Sequence, residues 1–500
     1  MTERVLFTTS NGTGLGHLTR SMAIARRLGP ELEAMFITLS AAAPVVEQMG
    51  FPVEYVASYA TPGSGNDYRW SRRLRARLRA AIAEIGPRVV VFDGTHPYEA
   101  LLGALPNEAV TVWCRRPLWK AGSSRVPLGR AGAFDAVLEP GELAESEDRG
   151  PTVPLRDRAH CVDPIVLLDR EELLPRETAE AQLGLDPDRP HLLVSLGQGS
   201  EVGGLSSRAL EALAKHPEIQ VAALSSALAN VDAPPDGVVQ LRSTYPMSRY
   251  FAAFDGAIAA AGYNAYHELI ALGVPSLFVP LHRDTDDQPA RARYAEAAGV
   301  GLGVTGPDDP QLEAQIGRLL DECQGIGERL AMREEPEGAR EAAGWLGELA
   351  TFGSYGPEAR PSTRKAGRGR DFRRRWGTFI SSLPQTALRL TRQQLTKPRA
   401  RALVLAIGIP DDELPAALMA ALAEANERPE RTLVVTDSLA LGRLRELGVG
   451  IEHVPGRDSR QAEIAGVPYE EFLGRRLELI RAERPRSRRV VVAQGGAPVP

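Results

Sequence analysis

The residues best suited to chemistry lie in three glycine-containing turns, each placed between an apolar run and a helical pattern. They occupy segments 10–20, 197–200 and 262–268. At such a turn, the free N–H groups and the dipole of the following helix favour a phosphate group. The glycine spacing in the first turn differs from the dinucleotide pattern, and the second strand ends at Leu39-Ser40 without an acidic residue, so NAD is not indicated. The sequence therefore predicts phosphate or nucleotide binding of another kind.

The third turn belongs to a strand–turn–helix–strand unit. An apolar run at 256–261 predicts a buried strand, Gly262 begins the turn, and we expect the helix to carry Glu268 in its first turn. A stop at 273–275 would end the helix before the next strand at 276–279. A carboxylate at this place could reach a ribose diol. The alternative is an ordinary buried crossover in which Glu268 is a solvated helix residue.

The run from Ser243 to Gln288 resembles, without a gap, the donor-site signature of the two-domain GT-B glycosyltransferases, in particular the MurG and family-28 group. The resemblance implies that Glu268 binds the ribose hydroxyls of a UDP-sugar, while Asp287 and Gln288 hold the sugar hydroxyls. Tyr245 aligns with the loop that reads the uracil, where its ring either stacks on the base or fills the core. The donor-binding residues implied by the resemblance are Gly14, Gly16, Gly197, Gln198, Gly199, Ser200, Tyr245, Gly262, Asn264, Ala265, Glu268, Asp287 and Gln288.

The pattern G-x-G-x-G-H-x-x-R, which ends at Arg20, resembles the N-terminal loop of the same group. There the loop faces the donor phosphates and its histidine is a general base or a transition-state ligand, so the resemblance gives His17 this role. The alternative is that His17 only caps its helix. Asp93 ends a predicted strand at 88–92, and because strand ends line the cleft it is the second catalytic candidate. Its alternative role is to cap a helix.

Three further residues are candidates for the acceptor side of the cleft. His96 lies in the loop after the strand that ends at Asp93, and its alternative is an ordinary loop histidine. Arg115 and Arg116 open a basic and aromatic loop that could meet an acceptor headgroup. The motif Asp284-Thr285-Asp286 has the form of a metal-binding D-x-D, but it aligns with the sugar-binding loop. Glycine loops and helix dipoles would stabilise the departing diphosphate, so we expect neither a metal nor a cofactor.

Composition limits the class of protein. A chain of 500 residues is too long for one core, and a net charge of −5 argues against nucleic acid as the main partner. Three cysteines far apart indicate a reducing cytoplasm, with no disulfide framework or zinc site. The sequence has no signal-peptide pattern and no apolar run long enough to span a bilayer, so we expect a cytoplasmic protein whose membrane contact, at the inner face, would be peripheral.

The predicted fold class is α/β, with two Rossmann-like domains facing across a cleft. We assign 1–164 to an acceptor-side domain, 165–353 to a nucleotide-sugar domain, 354–400 to a basic linker and 401–500 to a degenerate α/β repeat of the N-terminal half. Within the second domain, helical patterns occur at 171–185, 311–320 and 337–349.

The repeat assignment depends on strings that recur 398 residues apart. Segment 36–40 matches 434–438, and segment 50–56 matches 448–454. The C-terminal copy lacks the candidate phosphate-binding and catalytic residues, because Leu414 and Pro415 replace Gly16 and His17 at this offset. We therefore expect a structural or docking module. Shared α/β patterning without common origin is the competing interpretation.

Two basic segments could contact an anionic membrane surface. One is a predicted helix at 68–85 with six arginines, for which a solvated face is the simpler interpretation. The other, at 371–390, mixes arginines with aromatic and aliphatic residues, and its alternative is a linker helix docked on the protein.

These features predict a glycosyltransferase that moves a hexose or N-acetylhexosamine from a UDP-sugar to an acceptor hydroxyl. The fold resemblance implies inversion at the anomeric carbon without a metal, and a lipid-linked or cell-envelope acceptor. One alternative is a UDP-sugar 2-epimerase of the same architecture. The other is a non-catalytic nucleotide-sugar-binding or scaffold subunit, which the degenerate C-terminal repeat would suit.

Overall fold

The computed structural model describes residues 2–10, 15–59, 67–197, 202–224, 237–241, 245–353, 402–483 and 489–493. Four of the predicted donor-site residues, Gly14, Gln198, Gly199 and Ser200, lie outside the described residues, as does the 371–390 segment. The described residues form three parallel sheets, which confirms the predicted α/β fold class.

The first sheet has the strand order β3-β2-β1-β4-β5-β6-β7. Its strands are largely buried apolar runs, as expected for a parallel sheet covered on both faces. The order reverses between β1 and β4, so a crevice opens at the carboxyl ends of these two strands. The strands are β1 (Glu3–Thr9), β2 (Leu32–Thr38), β3 (Val53–Tyr55), β4 (Val89–Asp93), β5 (Val110–Cys114), β6 (Ala136–Pro140) and β7 (His160–Val162), and the helices are α1 (Gly16–Ala25), α2 (Ala43–Gln48), α3 (Asp67–Ile85) and α4 (Glu99–Leu102).

The second sheet has the order β10-β9-β8-β11-β12-β13, with its reversal between β8 and β11. Gly197 and Gly262 follow these two strands, so they lie at the second crevice. The strands are β8 (His191–Ser195), β9 (Gln220–Leu224), β10 (Val239–Leu241), β11 (Gly256–Ala260), β12 (Ser276–Val279) and β13 (Leu302–Gly303). The helices are α5 (Arg176–Leu183), α6 (Val202–Leu213), α7 (Tyr263–Ala271), α8 (Gln288–Ala297), α9 (Leu312–Ala331) and α10 (Gly338–Phe352).

Two predicted helices in this domain differ from the observed ones. The pattern at 171–185 is interrupted, because Pro175 precedes α5 and only a short 3-10 turn lies before it. Helix α9 runs to Ala331 instead of ending at 320, because its buried apolar spacing continues through Ile326 and Leu330. Helix α10 packs back on the first domain, where Leu346 joins the hydrophobic core beneath β1.

The third sheet repeats the topology of the first half of the first sheet. Its order is β16-β15-β14-β17, which matches β3-β2-β1-β4 strand for strand. The strands are β14 (Ala402–Ala406), β15 (Thr432–Thr436), β16 (Gly450–His453) and β17 (Arg489–Val492), and the helices are α11 (Leu414–Ala425), α12 (Leu441–Glu446), α13 (Gln461–Ile464) and α14 (Tyr469–Glu483). The predicted truncated Rossmann-like repeat is therefore present in the fold.

The edge strands β3 and β16 of two different sheets lie against each other. The backbone N–H of Tyr55 donates to Nδ1 of His453 at 3.3 Å, and these two positions are 398 residues apart, which is the repeat offset. Tyr55 thus meets the residue at its own repeat position, as occurs at the axis of an isologous dimer interface. Glu54 accepts from Arg77 of α3 at 2.6 Å and from Arg476 of α14 at 2.8 Å, and all three side chains are buried.

This interface corrects the interpretation of the basic helix α3 as a wholly solvated face. Arg77 is 2% exposed, because it joins the contact between the first and third sheets. Arg72 and Arg79 are exposed on the same helix, as predicted. Within the described part of the chain, none of the helices combines the length and the apolarity needed to cross a membrane.

Candidate active site

A histidine and an aspartate from different elements of the first domain meet at the first crevice. His17 is the second residue of α1 and Asp93 is the last residue of β4. Nδ1 of His17 lies 2.7 Å from Oδ1 of Asp93. Because a carboxylate only accepts hydrogen bonds, this contact favours the neutral tautomer with its proton on Nδ1, in which Nε2 carries the lone pair. No side chain caps α1, so the alternative role of His17 as a helix cap is wrong.

Arg20 fixes the aspartate from the next turn of α1. Its Nε lies 2.9 Å from Oδ2 of Asp93, and its Nη2 lies 2.5 Å from Oδ1. Burial favours a higher pKa for the Asp93 carboxyl, but Arg20 and His17 hold that pKa below its ordinary value. Asp93 is therefore anionic at neutral pH, and it is 1% exposed. Its burial argues against its prediction as a second base, and its contact with His17 orients the imidazole instead.

The donor helix α7 faces this pair from the second domain. Gly262 is its N-cap residue, and Ala265 lies in its partly buried first turn. Nδ2 of Asn264 donates to the carbonyl of Gly16 at 3.1 Å, so the N-termini of α7 and α1 are adjacent. Gly197, with φ of +73°, makes the turn after β8 in a conformation that favours glycine. Two helix N-termini beside a glycine turn favour an anion between the domains.

Glu268 lies in the second turn of α7, and its predicted place in the first turn is wrong because the helix begins at Tyr263. Burial raises the pKa of its carboxyl to about 7, and the backbone N–H of Leu167 opposes this rise in part. Among the described residues, Oε1 of Glu268 is buried without a hydrogen-bond partner. Leaving a buried acceptor unpaired is costly. The position therefore suits a ligand that donates hydroxyl groups, such as a ribose.

Tyr245 bridges the two domains. Its ring packs against the hydrophobic core of the first domain, and its hydroxyl lies 3.0 Å from Oγ1 of Thr19 on α1. Of the two roles left open for this side chain, the structure supports core packing. Burial raises its pKa above the ordinary range, and the Glu268 charge adds to that rise.

The loop after β5, residues 115–120, crosses to the second domain as an inter-domain strap. The N–H of Lys120 donates to the carbonyl of Thr285 at 2.8 Å, and the N–H of Asp287 donates to the carbonyl of Leu118 at 3.0 Å. Leu118 has φ of +57°, which is unfavourable for a branched residue and is held by these contacts. The strap thus joins the acceptor-side domain to the predicted sugar-binding loop.

The two strap arginines, both predicted as acceptor contacts, have different surroundings. Arg115 is buried inside the first domain, where its Nε lies 3.1 Å from Oε2 of Glu139. Arg116 pairs across the domain interface with Asp286 at 3.2 Å. Arg115 is enclosed by these contacts, whereas Nε of Arg116 is buried without a hydrogen-bond partner among the described residues, so an acceptor contact by Arg116 stays a prediction.

The predicted sugar-binding pair is engaged within its own loop. The Asp287 side chain caps α8 by accepting from the N–H of Ala290 at 3.3 Å. Oε1 of Gln288 accepts from the N–H of Leu281 at 2.8 Å, and its Nε2 donates to Asp286 at 3.1 Å. These bonds shape the loop at the N-terminus of α8. Sugar contact by Asp287 and Gln288 remains a prediction.

His96 is exposed and stacks on the buried Trp119 of the strap, with ring centroids 6.4 Å apart. Partial burial and the charge of Arg130 lower its pKa. In the D-x-D motif, Asp284 is exposed whereas Asp286 is buried beside arginines, so the two do not form a chelating pair. Among the residues described, no three His, Cys, Asp or Glu side chains converge in a way that could hold a metal ion.

Several residues at the interface were not predicted from the sequence. Oε2 of Glu142, just after β6, lies 2.9 Å from Nε of Arg291 on α8. Its Oε1 lies 3.3 Å from Nε2 of His267 on α7. Nothing in the sequence signals this contact, because 149 residues separate Glu142 from Arg291. Arg20 could have been found, because it follows His17 by three residues and so lies on the same face of α1.

The first two domains thus place an imidazole held by a carboxylate, the N-termini of two helices and the buried Oε1 of Glu268 around one crevice. That set can activate a hydroxyl group and stabilise a departing diphosphate. The same architecture occurs in solved structures of low sequence identity. The spinosyn forosaminyltransferase SpnP matches with a TM-score of 0.51 and 17% identity, covering 70% of this chain and 100% of that one. A Listeria monocytogenes protein assigned as a UDP-N-acetylglucosamine 2-epimerase matches with a TM-score of 0.51 and 12% identity, covering 70% and 97%.

These structures confirm the predicted GT-B fold, and they do not separate a transferase from an epimerase. No protein-family model matches the chain. The names of curated relatives separate the transferase from the epimerase. The UDP-N-acetylglucosamine--N-acetylmuramyl-(pentapeptide) pyrophosphoryl-undecaprenol N-acetylglucosamine transferase of Nocardioides sp. is 31% identical over 322 residues, which is 60% of this chain and 84% of the relative.

The enzyme of the same name from Clavibacter michiganensis subsp. michiganensis is 27% identical over 300 residues, 59% of this chain and 78% of the relative. Both matches cover most of the relatives' length, and both relatives are glycosyltransferases by name. The chain therefore belongs to the MurG family of GT-B glycosyltransferases, and it is an enzyme of the hexosyltransferase type.

Proposed function

We propose that this protein transfers an N-acetylglucosaminyl group from UDP-N-acetylglucosamine to a hydroxyl of a lipid-linked pyrophosphate acceptor. The relatives' names supply the substrate classes. The observation that carries the proposal is the contact between His17 and Asp93 at 2.7 Å, directly opposite the N-terminus of the donor helix α7. A polarised histidine beside an anion site is what glycosyl transfer from a nucleoside diphosphate requires.

In this proposal, Nε2 of His17 takes the proton of the acceptor hydroxyl. The acceptor oxygen forms a bond to the anomeric carbon from the face opposite the diphosphate, and the bond from that carbon to the phosphate oxygen breaks. The electron pair leaves with UDP, so the configuration inverts. Asp93 stabilises the imidazolium that forms, because it remains anionic beside Arg20.

The second domain would hold the donor. The N–H groups at the start of α7 and at Gly197 face the diphosphate, and their dipoles stabilise the charge that develops on it. Glu268 would accept hydrogen bonds from the ribose hydroxyls, which would supply the partner that its buried Oε1 lacks. Asp287 and Gln288 would contact the sugar, and the reaction would need no metal.

We also propose that the protein works at the cytoplasmic face of a membrane through peripheral contact. Supporting features are the exposed Arg72 and Arg79 on α3 and the exposed ring of Tyr68 at its start. Basic and aromatic side chains of this kind suit the headgroup region of an anionic bilayer. Sedimentation with vesicles of anionic and of neutral lipid tests the contact, and equal binding to both would contradict it.

The function is tested first by binding and then by turnover. Calorimetry with UDP, GDP and dTDP should give tight binding of UDP, weakened by about 1–3 kcal/mol in Glu268→Ala because a charge-assisted hydrogen bond is lost. A well-folded protein that binds none of the three nucleotides would contradict the proposal and favour the scaffold alternative.

Turnover separates the two enzymatic alternatives. With UDP-N-acetylglucosamine and a lipid-linked pyrophosphate acceptor, we expect UDP release and a product of inverted configuration by NMR. Without the acceptor, we expect the donor to stay intact. Formation of the 2-epimer or of free UDP and a 2-epimeric sugar in the absence of acceptor would instead establish the epimerase.

A further inference from the structure

One side chain of the donor helix is inserted into the first domain. Tyr263 is the first residue of α7 and is 3% exposed. Its hydroxyl donates to the carbonyl of Gly141 at 2.9 Å and accepts from the N–H of Ile165 at 3.1 Å. Gly141 belongs to the first domain, and Ile165 begins the second-domain segment but packs in the core of the first, so the bond to Gly141 exists only while the domains are together.

The ring of Tyr263 also covers the guanidinium of Arg20, which binds Asp93 of the His17–Asp93 pair. The guanidinium carbon of Arg20 lies 5.1 Å from the ring centroid, within range of a cation–π contact. Arg291 of the second domain lies 5.7 Å from the same centroid. One arginine from each domain thus lies near the ring, and Arg20 bonds Asp93 through its Nε and Nη2 while its guanidinium carbon lies over the ring.

We propose that Tyr263 is a positioning residue for the transfer reaction, which orients His17 through Arg20 and Asp93 when the donor domain closes on the first domain. A planar guanidinium that is stacked on one face keeps its hydrogen-bonding edge in a fixed plane. Opening of the domains withdraws the ring, exposes Arg20 to water and loosens the bidentate hold on Asp93. Closure and assembly of the base are therefore one event.

The neighbouring residue supports the same coupling. Asn264 donates to the carbonyl of Gly16, which begins the helix that carries His17. Tyr263 therefore holds Arg20 near the end of the first turn of α1, and Asn264 holds the start of that turn. The Tyr263 side chain extends into the first domain, so we expect donor binding to the second domain to be largely independent of it.

This inference rests on the proposed function, and its experiment separates the two. We would compare Tyr263→Leu, which keeps bulk without a π-face or hydroxyl, with Tyr263→Phe, which keeps the ring. Tyr469→Phe is the matched control, because it removes one hydroxyl that donates to the carbonyl of Pro455 at 3.3 Å in the third domain.

The first measurement compares the effect of each variant on kcat with its effect on UDP affinity. We expect Tyr263→Leu to lower kcat by roughly 10- to 100-fold, since misplacement of a general base costs rate rather than binding. UDP affinity by calorimetry should stay within about threefold, and Tyr263→Phe should recover part of the lost kcat through its ring. A kcat of Tyr263→Leu equal to that of Tyr469→Phe would overturn the inference.

The second measurement does not need activity. Spin labels on the exposed Glu108 of the first domain and the exposed Lys215 of the second would report the distance between domains, with Cys161 and Cys323 replaced by serine. We expect a longer and broader distance in Tyr263→Leu. An unchanged distance would contradict the role of Tyr263 in closure. If the wild type transfers no sugar, the proposed function fails by itself, and this distance still decides whether Tyr263 holds the domains together.

Discussion

Nδ1 of His17 lies 2.7 Å from Oδ1 of Asp93, although 76 residues separate the two in the chain. The contact exists because β1 and β4 are neighbours in the first sheet, so the helix that follows β1 begins beside the end of β4. A histidine with one nitrogen held by a buried anion presents its other nitrogen in a fixed direction. The catalytic proposal depends on this relationship.

We expect His17→Ala and Asp93→Asn to lower kcat by about 10²–10⁴-fold, the range typical for loss of general base catalysis. UDP affinity should change little, because both residues lie in the first domain. Initial rates with saturating donor and acceptor measure the effect. His216→Ala, at a partly exposed histidine of the second domain, is the control. Equal rates for His17→Ala and His216→Ala would remove His17 from the mechanism.

Donor affinity should depend on pH through Glu268. Burial raises the pKa of this carboxyl to about 7 in the unliganded protein. Ribose hydroxyls bond more strongly to the carboxylate than to the neutral acid. Binding therefore releases a proton, and UDP affinity should rise as the pH increases from 6 to 8 through about 7. Calorimetry across this range measures it. The same slope in Glu268→Gln would assign the pH dependence to another group.

The Glu142–Arg291 pair should contribute strongly to the stability of the closed form. Both side chains are buried, and Arg291 also contacts Asp286. Replacing Arg291 by Met leaves the buried Glu142 without its arginine and leaves Asp286 with Arg116 alone, which we expect to cost about 3–5 kcal/mol. Urea unfolding followed by tryptophan fluorescence measures the loss. Arg318→Met, at an exposed pair on α9, should cost below about 1 kcal/mol. Equal losses for both variants would contradict the buried role.

Docking of the third domain should weaken in acid. Burial favours a higher pKa for Glu54, but Arg476 and Arg77 hold it below its ordinary value. The unfolded chain therefore takes up the proton first, so the contribution of Glu54 to stability is complete above the unfolded pKa of about 4.3 and is lost as the pH falls below it.

The thermal midpoint should consequently be lower in Glu54→Gln than in the wild type at pH 7, and this difference should shrink between pH 5 and pH 3. Scanning calorimetry at several pH values measures it. Glu463→Gln, on α13 of the third domain and largely exposed, is the matched control. A constant difference across the whole pH range would show that the Glu54 charge does not hold the interface.

The sequence predicted those features that depend on local pattern. The truncated repeat was predicted from strings at a constant offset, and His17 was selected because its loop resembles that of a known family. The function of Arg115 was predicted wrongly, because its burial is decided by Glu139, which the sequence does not pair with it. Asp93 was selected from the sequence because it ends a strand. Its role in orienting His17 is apparent only from the structure, where Arg20 holds its carboxylate.

Long-range contacts explain the remaining differences. The strap at 115–120 contacts the predicted sugar-binding loop at 281–288 because the two domains lie against each other. The residue pattern of neither segment predicts contact with the other. Tyr263 and Asn264 were visible as residues of a helix start. Their contacts with Arg20 and Gly16 join two sheets whose relative placement cannot be derived from strand and helix patterns.

The contact between Tyr55 and His453 has a further consequence, because the partner surface is part of the same chain. A dimer of separate molecules dissociates on dilution. A tethered partner is instead present at an effective concentration of about a millimolar or somewhat less, whatever the protein concentration. A surface whose Kd lies below that concentration is then mostly occupied, even if two free molecules would stay apart. The first domain therefore keeps the edge strand β3 covered even in a cell that holds few copies of the protein.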